Sequence, residues 1–400
     1  MKLILSAIFL FLFVSAQPAL SQKGNQRALI NFNPGWKVRT GDFKGAERPE
    51  FNDKEWENIT LPHAFNEKEA FRVDIHNLST GVAWYRKHFI VPASQKNHKV
   101  FLEFEGIRQG GQFYLNGEPL GIHENGVNAF GFDITSRVQF GKENVLAVRI
   151  DNSWQYREQA TETLFQWNNN SFNANYGGIP KNVYIHFTDK LYQTLPLLNS
   201  LGTTGVYVYA RDFDISRKTA TIVVNAQVKN EYPEARTVEF MVQLYDMDNK
   251  PVHKFTSGPT TIYSGGTADL FATARISGLN FWSWGYGYLY KVVTAVVYNG
   301  DPVDAQVTRT GFRKTEFRDG MFFLNDRVLQ LKGYAQRSTN EWPAVGMSVP
   351  AWISDFSNRM MVESNANLVR WMHVTPWKQD VESCDRVGLI QAMPAGDAER

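Results

Sequence analysis

A single cysteine, Cys384, serves all 400 residues. No disulfide can form within the chain, and every core must hold by packing alone. Charge of one sign is equally scarce. Lys and Arg number 42 against 40 Asp and Glu, for a net charge of +2, and the two signs are interspersed. Without a basic stripe to neutralise phosphates, nucleic acid is not an expected partner. The sequence also lacks His or Cys clusters at metal-ligand spacing, a glycine-rich phosphate loop and a Ser-His-Asp arrangement.

Long apolar runs are missing, apart from the opening MKLILSAIFLFLFVSAQPALSQKG. Lys2 supplies a positive start, Leu3 to Val14 an apolar run, and Ala19-Leu20-Ser21 a small-x-small cleavage site. The run is shorter than the roughly 20 apolar residues that span a bilayer. Residues 1–22 therefore read as a cleaved signal peptide. A periplasmic or secreted location is expected, with no membrane association after cleavage. No cysteine follows the run, which argues against lipid anchoring.

Aromatics are plentiful: 28 Phe, 16 Tyr and 11 Trp make up 14% of the chain. Such rings fill β-sandwich cores and also stack on the apolar faces of sugars. The length suits two to three domains at about 150 residues each. Residues 26–190 alternate short apolar strands with turn signals. In VFLEFEGI (100–107), Val100, Leu102 and Phe104 share one face, and Phe101, Glu103 and Glu105 the other. Asn116-Gly117 supplies the left-handed residues of a tight hairpin. A β-sandwich is expected here.

A second sandwich is expected over 191–310, where Ile222, Val224, Ala226 and Val228 point inward along TATIVVNAQVKN. Five to seven such strands in about 110 residues fit an immunoglobulin-like fold without a disulfide. From 311 the pattern changes. VLQLKG (328–333) reads as a strand, followed by a helix with Ser348 as N-cap, Pro350 in its first turn, and Trp352, Phe356 and Met360 at i, i+4 spacing. NLVRWMHV (367–374), a helix near 377–387 and GLIQAMP (388–394) complete a βαβαβ alternation, the signature of a parallel sheet.

Taken in order, a set of motifs resembles glycoside hydrolase family 2, the family of β-galactosidases, β-glucuronidases and β-mannosidases. The motifs are LPHAFN (61–66), WYRKHFIVP (84–92), FEGIRQGGQFYLNGEPLGIHENG (104–126), FDIT (132–135), ENVLAVRIDN (143–152), NYGGIPKNVYI (175–185), GFR (311–313), NDRVLQLKGYAQR (325–337), NLVRWMH (367–373) and CDRVGLI (384–390). The resemblance implies a jelly-roll sugar-binding-like domain over 26–190 and an immunoglobulin-like domain over 191–310. An incomplete (β/α)8 TIM barrel follows over 311–400, with GFR as the strand that closes the second domain. It implies an exported retaining glycosidase, most simply a β-galactosidase, acting on a carbohydrate. Such enzymes need one carboxyl to protonate the leaving oxygen and another to attack the anomeric carbon. By the family's order these two glutamates follow barrel strands four and seven, beyond residue 400. Some members use Mg²⁺ or Na⁺, and the resemblance is compatible with a homo-oligomer.

Within the chain, the resemblance points to Arg370 and His373 at the end of the second barrel strand. A guanidinium there orients carboxylates or sugar hydroxyls and calls for a carboxylate partner if buried. Asn340-Glu341 copies the family's acid/base dipeptide but lies in the loop after strand one. That loop, with Trp342, is a substrate-contact candidate and not the catalytic acid. Gln336-Arg337 stand where members often carry a His. Lys181 replaces an Arg, and Asn173 or Asn175 takes the place of an Asp. The family's Asp-Glu at the end of strand three reads Ala392-Met393-Pro394, with Asp397 and Glu399 just beyond. The rival expectation is a non-catalytic carbohydrate-binding scaffold.

Overall fold

Alternation along Lys99–Phe104 builds the first layer: Val100, Leu102 and Phe104 are fully buried in the core of a β-sandwich. The computed structural model describes residues 27–74, 77–126, 128–164, 174–336, 349–372 and 375–393. Lys99–Phe104 lies in a four-stranded sheet with Ala28–Asn31, Val183–Thr188 and Phe130–Asp133. Opposite stands a six-stranded sheet, ordered Glu57–Ile59, Trp36–Thr40, Val82–Ile90, Glu143–Asp151, Gly110–Leu115 and Glu118–Glu124. Leu146, Val148 and Ile150 face the same core. Phe104, Phe113 and Phe130 meet there with centroids 5.1–5.2 Å apart. The hairpin turn is as expected, with Asn116 at φ 55° and Gly117 at φ 86°.

The other face of the four-stranded sheet is covered too. Phe101 packs on Tyr192, Leu195 and Leu197, the segment leading to the second sandwich, while Glu103 takes a 2.6 Å contact from His186. The second sandwich pairs Thr219–Asn230 with Val206–Asp214, Leu191–Gln193 and Thr267–Ile276. Its other sheet runs Pro251–Thr256, Arg236–Tyr245, Tyr290–Tyr298, Asp301–Thr310. Ile222, Val224, Ala226 and Val228 are all at 0% exposure, as the alternation required. GFR is not a strand, however. Asp301–Thr310 ends before it, Phe312 plugs the core, and the Phe312 carbonyl accepts from the Trp282 N–H at 2.9 Å.

Past 314, Thr315–Arg318, Met321–Leu324 and Arg327–Val328 form a small antiparallel sheet. The parallel strand expected at 328–333 lies later, at Gly333–Gln336. Buried Asn367 sets that register. Its side chain accepts from the Lys332 N–H at 2.8 Å and donates to the Gln330 carbonyl at 2.9 Å, so 330–332 is tied down before pairing begins. Gly333–Gln336, Leu368–Trp371 and Ile390–Ala392 then make a parallel sheet, connected by helices Ala351–Glu363 and Lys378–Val387. Pro350 is the N-cap of the first helix, one position earlier than expected, where its lack of an N–H costs nothing; Ser348 lies outside the described residues.

Candidate functional site

The parallel sheet has two unlike faces. Val369 and Trp371 turn toward the helices and pack with Cys384 and Leu389. On the other face, register aligns Ala335, Arg370 and Ala392 in one row across the three strands. Arg370 is exposed, and its two neighbours carry only methyl groups, so nothing in that row crowds the guanidinium. Among the described residues no carboxylate lies within ion-pair distance of it.

Just past the end of the central strand, Trp377 caps the Lys378–Val387 helix. Its N–H donates to the Asp380 carboxylate at 3.2 Å, and the other oxygen of Asp380 accepts from the Ser354 hydroxyl at 2.6 Å. Burial raises the Asp380 pKa; those hydrogen bonds and the nearby Lys181 act against it. The Trp377 ring is buried among Ala64, Leu78, Ala174 and Tyr176 of the first sandwich, with the Lys181 ammonium 4.6 Å from its centroid. Gly106 makes room for the lysine stem: a Cβ there would stand 2.8 Å from Lys181 Cδ.

Behind this contact, three buried asparagines lock the sandwich loops. Asn66 Nδ2 and Asn152 Nδ2 donate to the Asn175 carbonyl at 2.9 and 3.0 Å. Asn175 Nδ2 donates to the Asn152 carbonyl at 2.8 Å, and Asn66 Oδ1 accepts from the Gly177 N–H at 3.1 Å. The loops beside the Trp377 contact are thus tied by side chains as well as strands. Burial pushes the Tyr176 hydroxyl up to about 12, with Glu67 adding to the shift. The phenol stays protonated and can donate.

Of the residues expected at the site, the structure places Arg370 on the open face. Arg337, Asn340, Glu341, Trp342 and His373 lie outside the described residues, as do Asn173, Asp397 and Glu399. Two features escaped the sequence reading. Lys181 and Trp377 meet across the sandwich boundary, a contact for which the sequence carries no local signal. The stretch WSWGYGY (282–288) bridges the second sandwich to the parallel sheet. Trp282 Nε1 donates to the Asp385 carbonyl and Trp284 Nε1 to the Ala366 carbonyl, both at 2.8 Å. Its two glycines and two tryptophans were the cue there. Among the described residues no three His, Cys, Asp or Glu side chains gather where they could hold a metal ion.

Residues 57–187 match the glycosyl hydrolase 2 galactose-binding domain-like family model, and residues 206–313 match that of glycosyl hydrolases family 2. The chain belongs to glycoside hydrolase family 2. A β-glucuronidase of Formosa agariphila is 34% identical over 385 residues, covering 94% of this chain and 39% of that protein. A β-galactosidase of Thermoanaerobacter pseudethanolicus is 28% identical over 388 residues, 91% of this chain and 46% of the relative. A solved β-glucuronidase of the family superposes with a TM-score of 0.86 at 34% identity, over 94% of this chain and 40% of that one. The chain thus spans less than half the length of these relatives.

Proposed function

We propose that the protein acts as an exported retaining β-glycosidase, with residues 1–22 as its signal peptide and the parallel sheet as the opening of a (β/α)8 barrel. In such a barrel the active face lies at the carboxyl ends of the strands, the end from which Trp371 leads toward Trp377. The two catalytic glutamates would come from later strands, about 5–5.5 Å apart as retention requires. Arg370 is the substrate-binding residue of this reading, with His373, Arg337, Asn340, Glu341 and Trp342 as further candidates.

Its first substrate is a terminal β-glucuronide. The galactoside suggested by the motifs takes second place, because the β-glucuronidase relative stands at 34% identity and the β-galactosidase at 28%. One observation carries the choice. Arg370 stands between Ala335 and Ala392 on the sheet face opposite Val369 and Trp371, and a planar guanidinium is complementary to a uronate carboxylate. The test compares 4-nitrophenyl β-glucuronide with the β-galactoside on the intact protein. A kcat/KM at least about tenfold higher for the glucuronide, about 1.4 kcal/mol of transition-state preference, is expected. A preference for the galactoside restores that substrate, and hydrolysis of neither overturns the glycosidase reading.

A further inference from the structure

We propose that the outer face of the second sandwich is an accessory platform for an anionic, uronate-bearing polysaccharide chain. The strand Thr219–Asn230 runs between Val206–Asp214 and Thr267–Ile276, and its inward residues fill the core. Its outward residues form the floor of an open face. Register places Tyr207 opposite Asn225 and Asn225 opposite Phe271. One step along, Tyr209 aligns with Val223 and Thr273, and the next row reads Arg211, Thr221, Arg275.

Large rings therefore rise from both outer strands, while the central strand carries smaller groups. Tyr207 is 65% exposed, Phe271 54% and Tyr209 37%, whereas Val223 between them is at 4%. The two tyrosine rings lie 5.4 Å apart at 31°, one above the other along the strand. With neighbouring strands about 4.8 Å apart, the opposed aromatic stems are roughly 10 Å apart across the floor. That is a shallow trough with aromatic rims, open to solvent and running parallel to the strands. Exposed aromatic patches of this kind mark interaction surfaces.

Two observations point to a sugar chain of negative charge as the occupant. The rims offer flat apolar faces, which suit pyranose rings. One end is cationic: Arg211 and Arg275 flank Thr221 there, with Arg211 3.7 Å from Asp212 and Arg217 3.7 Å from Asp214. Arg275 donates to the Asp212 backbone carbonyl and, at 2.9 Å, to the Thr219 hydroxyl. Those neutral acceptors leave its charge available to a carboxylate. This inference goes beyond the proposed reaction, since it concerns binding without turnover and stands whichever glycoside is cleaved.

The test measures retention of the 400-residue chain by affinity electrophoresis in gels containing a soluble polyuronate or a neutral β-glucan. The native chain is retarded by the polyuronate. Tyr207→Ala with Phe271→Ala lowers that affinity at least about tenfold with an unchanged unfolding midpoint, as expected for exposed side chains. Arg275→Gln weakens polyuronate binding and leaves retardation by the neutral polymer as it was. Equal retention of the double variant and the native chain overturns the proposal, as does no retention of the native chain. Self-association by sedimentation that the double variant abolishes overturns it too, making the face a contact between copies.

Discussion

The Lys181 ammonium lies 4.6 Å from the centroid of the Trp377 ring, joining the first sandwich to the loop that follows the Arg370 strand. Both side chains are buried, so the cation–π contact operates away from bulk water, where it is worth on the order of 1–2 kcal/mol. Lys181→Met keeps the stem against Gly106 and removes the charge. A double-mutant cycle with Trp377→Leu, read by denaturant unfolding, should give a coupling of about 1 kcal/mol or more. Additive losses would mean that the two residues merely adjoin.

Inside the first sandwich, Asp53 anchors a buried cation. Arg86, at 0% exposure, donates to it at 2.8 Å, with His88 at 2.8 Å and Lys37 at 2.9 Å on the same carboxylate. Burial alone would raise the Asp53 pKa, but these three partners outweigh it and hold it well below the usual carboxylate range. Asp53→Ala strands the guanidinium, a loss of about 3–5 kcal/mol measured as the shift in unfolding free energy. Asp53→Ala with Arg86→Met should recover much of it.

Acid should weaken the same domain through its histidines. Burial lowers both His63 and His123 from 6.5 to about 4. His63 Nδ1 lies 3.0 Å from the Tyr85 hydroxyl, and His123 stacks on Phe130 with centroids 3.6 Å apart. Between pH 6.5 and 4 the unfolded chain takes up protons that the native state refuses, so stability is full above pH 6.5 and falls as pH drops toward 4. Each residue contributes on the order of 1–3 kcal/mol to that fall. His63→Gln and His123→Gln should flatten the slope of unfolding midpoint against pH in this window; an unchanged slope assigns it elsewhere.

Both sandwiches were legible where a strand has one dry face, since a period of two writes that directly into residues such as Ile222, Val224 and Ala226. The parallel unit was legible in order but not in detail. Trp352, Phe356 and Met360, the apolar marks of the first helix, are exposed, while Ile353, Ser354 and Asn358 are buried. The helix meets its neighbour largely through hydrogen bonds, Ser354 to Asp380 at 2.6 Å and Asn358 to Ser383 at 3.0 Å. Short polar side chains that pair across helices look like surface residues in a sequence. The strand at Gly333–Gln336 was misplaced for a related reason: VLQLKG is the more apolar stretch, but Asn367 fixes the register through the backbone of 330–332. Lys181 and Trp377 are 196 positions apart, and no local pattern announces such a contact.

Arg370 carries the substrate-binding proposal. In the intact protein, Arg370→Ala should lower kcat/KM by at least about tenfold, or 1.4 kcal/mol, with the fold intact by circular dichroism. Arg370→Lys should restore only part of the activity, since an ammonium cannot match a bidentate fork. Native kinetics in the alanine variant would make Arg370 a bystander on the sheet.

The most direct measurement concerns where the acids come from. Residues 1–400, expressed and purified on their own, should be folded by circular dichroism yet release no nitrophenol from either the β-glucuronide or the β-galactoside, whereas the intact protein turns over at least one. Sustained hydrolysis by the 400-residue chain would contradict the account, because both working carboxyls would then have to lie within it.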